Sequence, residues 1–159
     1  MTPAIRALRA EGVEAEPVAY RYEAGGAEEA AVALGLGPST VVKTLVVEAD
    51  GEPRLVLMHG DREVSLRSVG RVVEAKRVTA ADPATAERVT GYRVGGISPF
   101  GTRRRLPVVV QTTVLELAEV HVNAGRRGLL VAVDPQVFVD LLDATVADIA
   151  VRGTEVPEY

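Results

Sequence analysis

Residues 41–58, VVKTLVVEADGEPRLVLM, are two apolar runs separated by Asp50-Gly51. Valine, leucine and threonine favour extended backbone, and an Asp-Gly pair accepts the positive φ angles of a two-residue hairpin turn. The stretch predicts an antiparallel β-hairpin with Lys43 in its first strand and Thr44 on the opposite face of that strand. Both residues have a plain reading. A strand lysine lays its stem on apolar neighbours and leaves its ammonium in water, or it aims a donor into a pocket; a strand threonine is a good β-former.

Similar signals flank the hairpin. Thr2, Pro3, Ile5, Leu8 and Gly12 predict a helix over residues 3–11. EPVAYRY (16–22) alternates with period two, predicting a half-buried strand with Tyr20 and Tyr22 on one face; a tyrosine there is ordinarily half-buried core with its hydroxyl at the rim. AEEAAVALGLG (27–37) is rich in helix formers and ends in glycine. Downstream, SLRSVGRVVEA (65–75) and DPATAERVTG (82–91) predict short helices, the second capped by Asp82 with Pro83 just inside. LPVVVQT (106–112) reads as a buried strand, and Thr113 with Glu116 has capping-box spacing. AEVHVNAG (118–125) and LLVAV (129–133) pair around a glycine-arginine turn, Asp134-Pro135 opens a last helix through Leu142, and TVADIAV (145–151) is a closing strand. About seven strands with short helices at irregular intervals predict an α+β fold with a curved, mixed, barrel-like sheet rather than a regular βαβ winding.

The 159 residues, 47% hydrophobic, fit a single domain over 1–159 with only a few linker residues at the C-terminus. Net charge is −4, so nucleic acid can be held only by a local basic patch, and neither DNA nor a membrane is expected as a partner. There is no cysteine, which removes disulfides, thiolate nucleophiles and cysteine-ligated zinc. No apolar run approaches the roughly 18 residues of a membrane span, and the first residues do not read as a signal peptide; the expectation is a cytoplasmic protein. Only 4% of residues are aromatic, which argues against binding by extended base stacking.

TGYRVGGISPFGTRRRLP (90–107) carries four glycines, two prolines and four arginines without one acidic residue. Glycine permits close approach and proline stiffens the path, so the stretch predicts a fixed loop able to present backbone N–H groups to an anion; an ordinary chain reversal has the same composition. Arg103, Arg104 and Arg105 suit phosphates or a solvated edge. Several familiar chemistries fail. Gly96 and Gly101 have phosphate-loop spacing, but Thr102-Arg103 follows where Lys-Ser/Thr is required. GLGPST lacks a third glycine for a dinucleotide fingerprint, His59 and His121 form no metal-type pair, and no serine sits in a GxSxG elbow.

Together VVKTLVV (41–47), TGYRVGGISPFG with its basic run and LP, and the NAGRRG turn (123–128) resemble the YbaK/ProX family of aminoacyl-tRNA deacylases, related to the editing domain inserted in bacterial prolyl-tRNA synthetases. The resemblance runs from MTPA through ADIAV and implies that family's β-barrel-like sheet wrapped by short helices. It also implies hydrolysis of the ester joining a wrong amino acid to tRNA, commonly proline tRNA, with no cofactor or metal and with aminoacyl-tRNA and a prolyl-tRNA synthetase as partners. The positions carried over are Tyr20, Lys43, Thr44 and Gly95. Asn123, Leu130 and Gly26 stand where the cysteine-clearing branch has serine, aspartate and phenylalanine, so the choice between cysteine, alanine and another small residue stays open. On this reading the amides of Gly95, Gly96 and Ile97 stabilise the oxyanion. Lys43 holds the terminal adenosine or its phosphate, Tyr20 donates near the sugar, and a water attacks with help from the vicinal hydroxyl. Thr44, Ser98, Pro99, Asn123, Leu130 and Gly26 form the substrate-binding set, and Arg103, Arg104, Arg105, Arg126 and Arg127 contact phosphates. The alternative is a non-catalytic aminoacyl- or nucleotide-binding module acting as a sensor or synthetase accessory.

Overall fold

The computed structural model describes residues 1–152; the short C-terminal linker expected beyond the last strand falls on residues 153–159, outside the described residues. The hairpin forms as its composition predicts. β2 (Val41–Ala49) and β3 (Glu52–His59) pair antiparallel, from Val42 opposite His59 to Ala49 opposite Glu52. Asp50 (φ 49°) and Gly51 (φ 84°) take the two successive positive φ angles of a type I′ turn, whose twist matches that of the strands. The Asp50 carboxylate accepts hydrogen bonds from the backbone amides of Lys76 and Arg77, which hold its carboxyl below the usual carboxylate range and tie the hairpin tip to the start of β4 (Val78–Ala80).

Around this hairpin the sheet runs β1 (Pro17–Ala19), β7 (Leu129–Val133), β6 (Val120–Arg126), β2, β3, β5 (Val108–Gln111) and β8 (Thr145–Ala147), with β4 beside β2 as an eighth strand off that path. It is mixed: β2–β6, β3–β5 and β5–β8 are parallel and the other pairings antiparallel. Strand alternation sends Val42 and Val46 to one face, where they meet α1 (Pro3–Ala10), α4 (Pro83–Thr90) and α5 (Gln136–Leu142) in the main core. Leu45 and Val47 go to the other face and pack with Leu66 and Val69 of α3 (Leu66–Val73). α2 (Gly26–Leu34) closes a third cluster with Val41 and Leu130. No described helix is long and apolar enough to cross a membrane.

Local end signals operate as read. Asp82 accepts the Thr85 N–H at 2.8 Å to start α4, Gly91 ends it at φ 79°, and Gly35 ends α2 at φ 67°. Three local expectations change, one being the closing strand expected over 145–151, which forms only over Thr145–Ala147. The strand expected over 16–22 is limited to Pro17–Ala19, because after the Tyr20 N–H bonds the Gly128 carbonyl the chain leaves the sheet. Thr113 makes no capping box in the 3-10 helix Thr112–Glu116, since its Oγ1 is engaged by His59 Nε2 at 2.6 Å and Gln111 Nε2 at 3.3 Å.

Fully buried Phe138 of α5 stacks on Phe100, at the end of the glycine loop, with ring centroids 5.8 Å apart. Phe138→Ala is expected to lower stability by about 3–5 kcal/mol through lost transfer energy and the cavity left behind, read as a lower midpoint in urea denaturation.

Candidate functional site

The outer edge of β2 is shared by two strands that do not meet. β6 pairs it at Val41–Val42 and β4 at Val47–Ala49, and Ala81 N–H reaches the Val46 carbonyl. Residues 43–45 thus have no strand beside them on this edge. Within a strand, a residue's N–H and C=O point to the same edge. Since the Val46 carbonyl points to this edge, so does the peptide edge of Thr44, two residues away and inside the gap. A cavity of about 470 Å³ opens there, and it brings together Tyr20, Gly26, Lys43, Thr44, Gly95, Ile97, Asn123 and Leu130 from six separate parts of the chain. Gly96, Ser98 and Pro99 are buried behind the wall and do not line it; Ser98 Oγ accepts the Phe100 N–H and supports the loop from inside.

The loop has a defined peptide geometry. Gly96 N–H donates to the Arg93 carbonyl at 2.8 Å, closing a turn over residues 93–96. Gly95 has φ +90° while Val94 is not among the residues of positive φ, which makes this a type II turn and explains the glycine. A Cβ on Gly95 would also collide with the Tyr22 hydroxyl, and one on Gly96 with the backbone of Arg126 and Arg127. The two carbonyls exposed by the turn are each held by the β6–β7 hairpin. Arg127 Nε donates to Val94 O at 2.9 Å and Asn123 Nδ2 to Gly95 O at 3.2 Å. In a trans peptide, N–H and C=O point in opposite directions. With Val94 O fixed on Arg127, the Gly95 N–H faces away from that guanidinium. Among the described residues neither Gly95 N–H nor Ile97 N–H has an internal acceptor. The Gly96 amide, expected to join them, is already committed to the turn.

Asn123 serves this architecture. Its Oδ1 accepts the N–H groups of Gly125 (2.7 Å) and Arg126 (3.2 Å) across the β6 bulge, so its polar atoms are turned to the loop and the bulge. Tyr22, missed as a site residue, lines the cavity beside Gly95 and lies under the Arg127 guanidinium, 5.3 Å from its ring centroid. Its alternation with Tyr20 was the available signal.

Lys43 stands on the face of Val41 and Leu45 with its side chain only 21% exposed and Nζ 4.0 Å from Glu63 Oε1. Thr44 Oγ1 is buried and has no hydrogen-bond partner among the described residues, a state that costs about 1–3 kcal/mol. Burial, then the Glu29 carboxylate, raises the Tyr20 phenol above its usual pKa, so at neutral pH its hydroxyl is a donor. Arg103, Arg104 and Arg105 are exposed but off the cavity wall; Arg103 packs beside Gly91 and donates its N–H to the Thr90 carbonyl. Arg126 is exposed on the bulge. Among the described residues no three His, Asp or Glu side chains converge as a metal site.

Comparison with known proteins adds four likenesses. A family model described as an aminoacyl-tRNA editing domain matches residues 23–141. A protein of Enterococcus faecalis named as a candidate Cys-tRNA(Pro)/Cys-tRNA(Cys) deacylase, EbsC, is 27% identical over 127 residues, covering 79% of this chain and 77% of its own. The proline–tRNA ligase of Desulforamulus reducens is 32% identical over 111 residues, covering 69% of this chain but only 19% of the ligase. A crystal structure described as a candidate trans-editing enzyme for prolyl-tRNA synthetase superposes with TM-score 0.85 at 27% identity, covering 96% of this chain and 99% of that one.

Arg127→Ala is expected to release the Val94 carbonyl and loosen the turn. A hydrogen bond from a charged donor contributes about 1.5–3 kcal/mol, so amide exchange at Gly96 should accelerate by about tenfold or more; unchanged exchange would mean that the turn holds itself.

Proposed function

The chain belongs to the aminoacyl-tRNA editing domain family, and from that membership and the cavity's geometry we propose that it is a trans-acting deacylase in the cytoplasm. It hydrolyses the ester of mischarged tRNA, with proline tRNA carrying alanine, cysteine or another small amino acid as the substrate class and a prolyl-tRNA synthetase as the activity it complements. The observation that carries this reading is the pair of unengaged amides, Gly95 and Ile97, on a cavity wall that also holds Lys43.

An aminoacyl ester is already activated, so the protein needs no attacking side chain. A water adds to the ester carbonyl, negative charge grows on the carbonyl oxygen, and Gly95 and Ile97 N–H groups stabilise it, where one such donor is worth roughly 100–1000-fold in rate. Collapse of the tetrahedral adduct breaks the bond to the ribose oxygen, and that oxygen regains a proton from the attacking water by way of the vicinal hydroxyl. Lys43 exchanges its contact with Glu63 for the terminal phosphate or adenosine and fixes the ester against the loop. Tyr20 donates near the sugar. Leu130 and Ile97 make the acyl pocket apolar and Asn123 has its polar atoms turned to the loop, which favours an alanyl over a seryl group.

The test is a panel of alanyl, cysteinyl and seryl esters on proline tRNA, with loss of the amino acid followed at protein well below substrate. Multiple turnovers are expected, alanyl ahead of seryl. Lys43→Ala should lower kcat/KM by about 100-fold or more with an unchanged thermal melt, as expected when a group that positions the reacting ester is removed. Binding without turnover would point to the sensor or accessory role instead, and full activity in Lys43→Ala would remove the lysine from the mechanism.

A further inference from the structure

A second concavity, a groove of about 390 Å³, adjoins the catalytic cavity and has a different character. Its wall carries four cations, Arg67, Arg71, Lys76 and Arg77, together with Leu66 and Gly70. Leu66 also lines the catalytic cavity, so the two share a wall residue. The arrangement follows from the local fold. Arg67 and Arg71 are four residues apart on α3 and therefore lie on one helix face. Lys76 and Arg77 come next, on the segment that returns the chain from α3 to β4, where their backbone amides are held by Asp50. All four basic residues are exposed.

The local charge balance here is opposite in sign to that of the whole chain. The chain carries a net −4, yet residues 62–77 hold five cations against the two carboxylates Glu63 and Glu74. Asp50, whose carboxylate is held by the amides of Lys76 and Arg77 and stays ionised beside Lys76, is a third carboxylate, and five cations against three still leave the segment positive. α3 rises about 1.5 Å per residue, so Arg71 lies roughly 7–8 Å along the helix from Leu66 and the catalytic cavity. A polyanion whose end enters the cavity on the Lys43 side therefore meets a line of cations as soon as it leaves. The arginine run at 103–105, by contrast, borders neither concavity.

We infer that this groove is the phosphate-binding track for the RNA strand whose aminoacylated 3′ end occupies the catalytic cavity, with Arg71, Lys76 and Arg77 as its main backbone contacts. The inference rests on the deacylase reading for which end of the RNA lies in the cavity. Contacts of this kind position the strand without reading its sequence, and their contribution appears as a salt-dependent affinity.

The probe is an uncharged acceptor-stem RNA hairpin ending in CCA, titrated by fluorescence anisotropy at several salt concentrations. Against wild type, the double substitution Arg71→Glu with Lys76→Glu should raise Kd by at least about tenfold at low salt and reduce the slope of log Kd against log salt by about one to two units. The pair Arg71→Gln with Lys76→Gln, which adds no carboxylate to the α3–β4 segment, should give the same direction at smaller size and guards against a folding defect. In the deacylation assay both pairs should raise KM and leave kcat unchanged. Arg104→Glu with Arg105→Glu serves as the comparison, expected to change Kd less than twofold. Groove variants that bind the hairpin as wild type does would overturn the inference, as would a wild-type protein without measurable affinity for it, or a larger loss from the 104–105 pair. Because the hairpin carries no amino acid, a protein that binds it through the groove but never turns over esters would sink the catalytic reading alone.

Discussion

A strand can be paired only along the part of its edge that a neighbour follows, and on β2 that edge is divided between two neighbours that diverge. β6 follows it for two residues in parallel and β4 for three in antiparallel, leaving the segment between them beside open space. In a sheet built around a central apolar hairpin such a gap would ordinarily leave unpaired peptide groups in the interior, which is costly. Here the gap faces a cavity, and the two residues with the most chemistry in the strand, Lys43 and Thr44, lie beside it. The cavity is thus a consequence of sheet topology before any side chain is considered.

The far wall depends on a different constraint. A glycine turn presents amides usefully only if its peptide planes are prevented from rotating, and glycine by itself provides the opposite. The β6–β7 hairpin supplies the restraint from outside the loop, with Arg127 and Asn123 each holding one of two consecutive carbonyls. Phe100 and Ser98 anchor the far end, the first stacked on Phe138 and the second bonded within the loop. Preorganisation of this kind suits a reaction in which charge develops on the substrate and no side chain attacks it, because the donors need not reorient as charge appears. It also assigns new meaning to two residues whose types suggested direct substrate contact: the guanidinium of Arg127 and the amide of Asn123 act on the loop.

Charge is handled by segregation. An acidic protein approaching tRNA gains nothing from its net field, so attraction must come from places where cations outnumber the nearby carboxylates. At Asp50 the backbone amides of Lys76 and Arg77 anchor the hairpin tip and hold an ionised carboxylate beside those cations. One interaction therefore sets the entry of β4, and with it one end of the β2 gap, and the positive charge there comes from the number of cations around the ionised Asp50.

The sequence by itself determined the features that depend on residues within a few positions of one another. The Asp50-Gly51 turn, the Asp82 cap, the glycine ends of α2 and α4 and the apolar runs of β2 and β3 could be read directly, because each is decided by backbone preference and nearest neighbours. The resemblance carried by ordered motifs placed Tyr20, Lys43, Thr44 and Gly95 in one set, and the fold brings all four to one cavity. Only the tertiary structure decided what lies across from them. Three-residue β4 has too little pattern to announce itself, the loss of the Thr113 cap required His59 from another strand, and Arg127 could not be told from a phosphate ligand until Val94 lay beneath it. Those outcomes turn on partners 30 to 50 or so residues away, and a local pattern contains no term for a partner that only folding supplies.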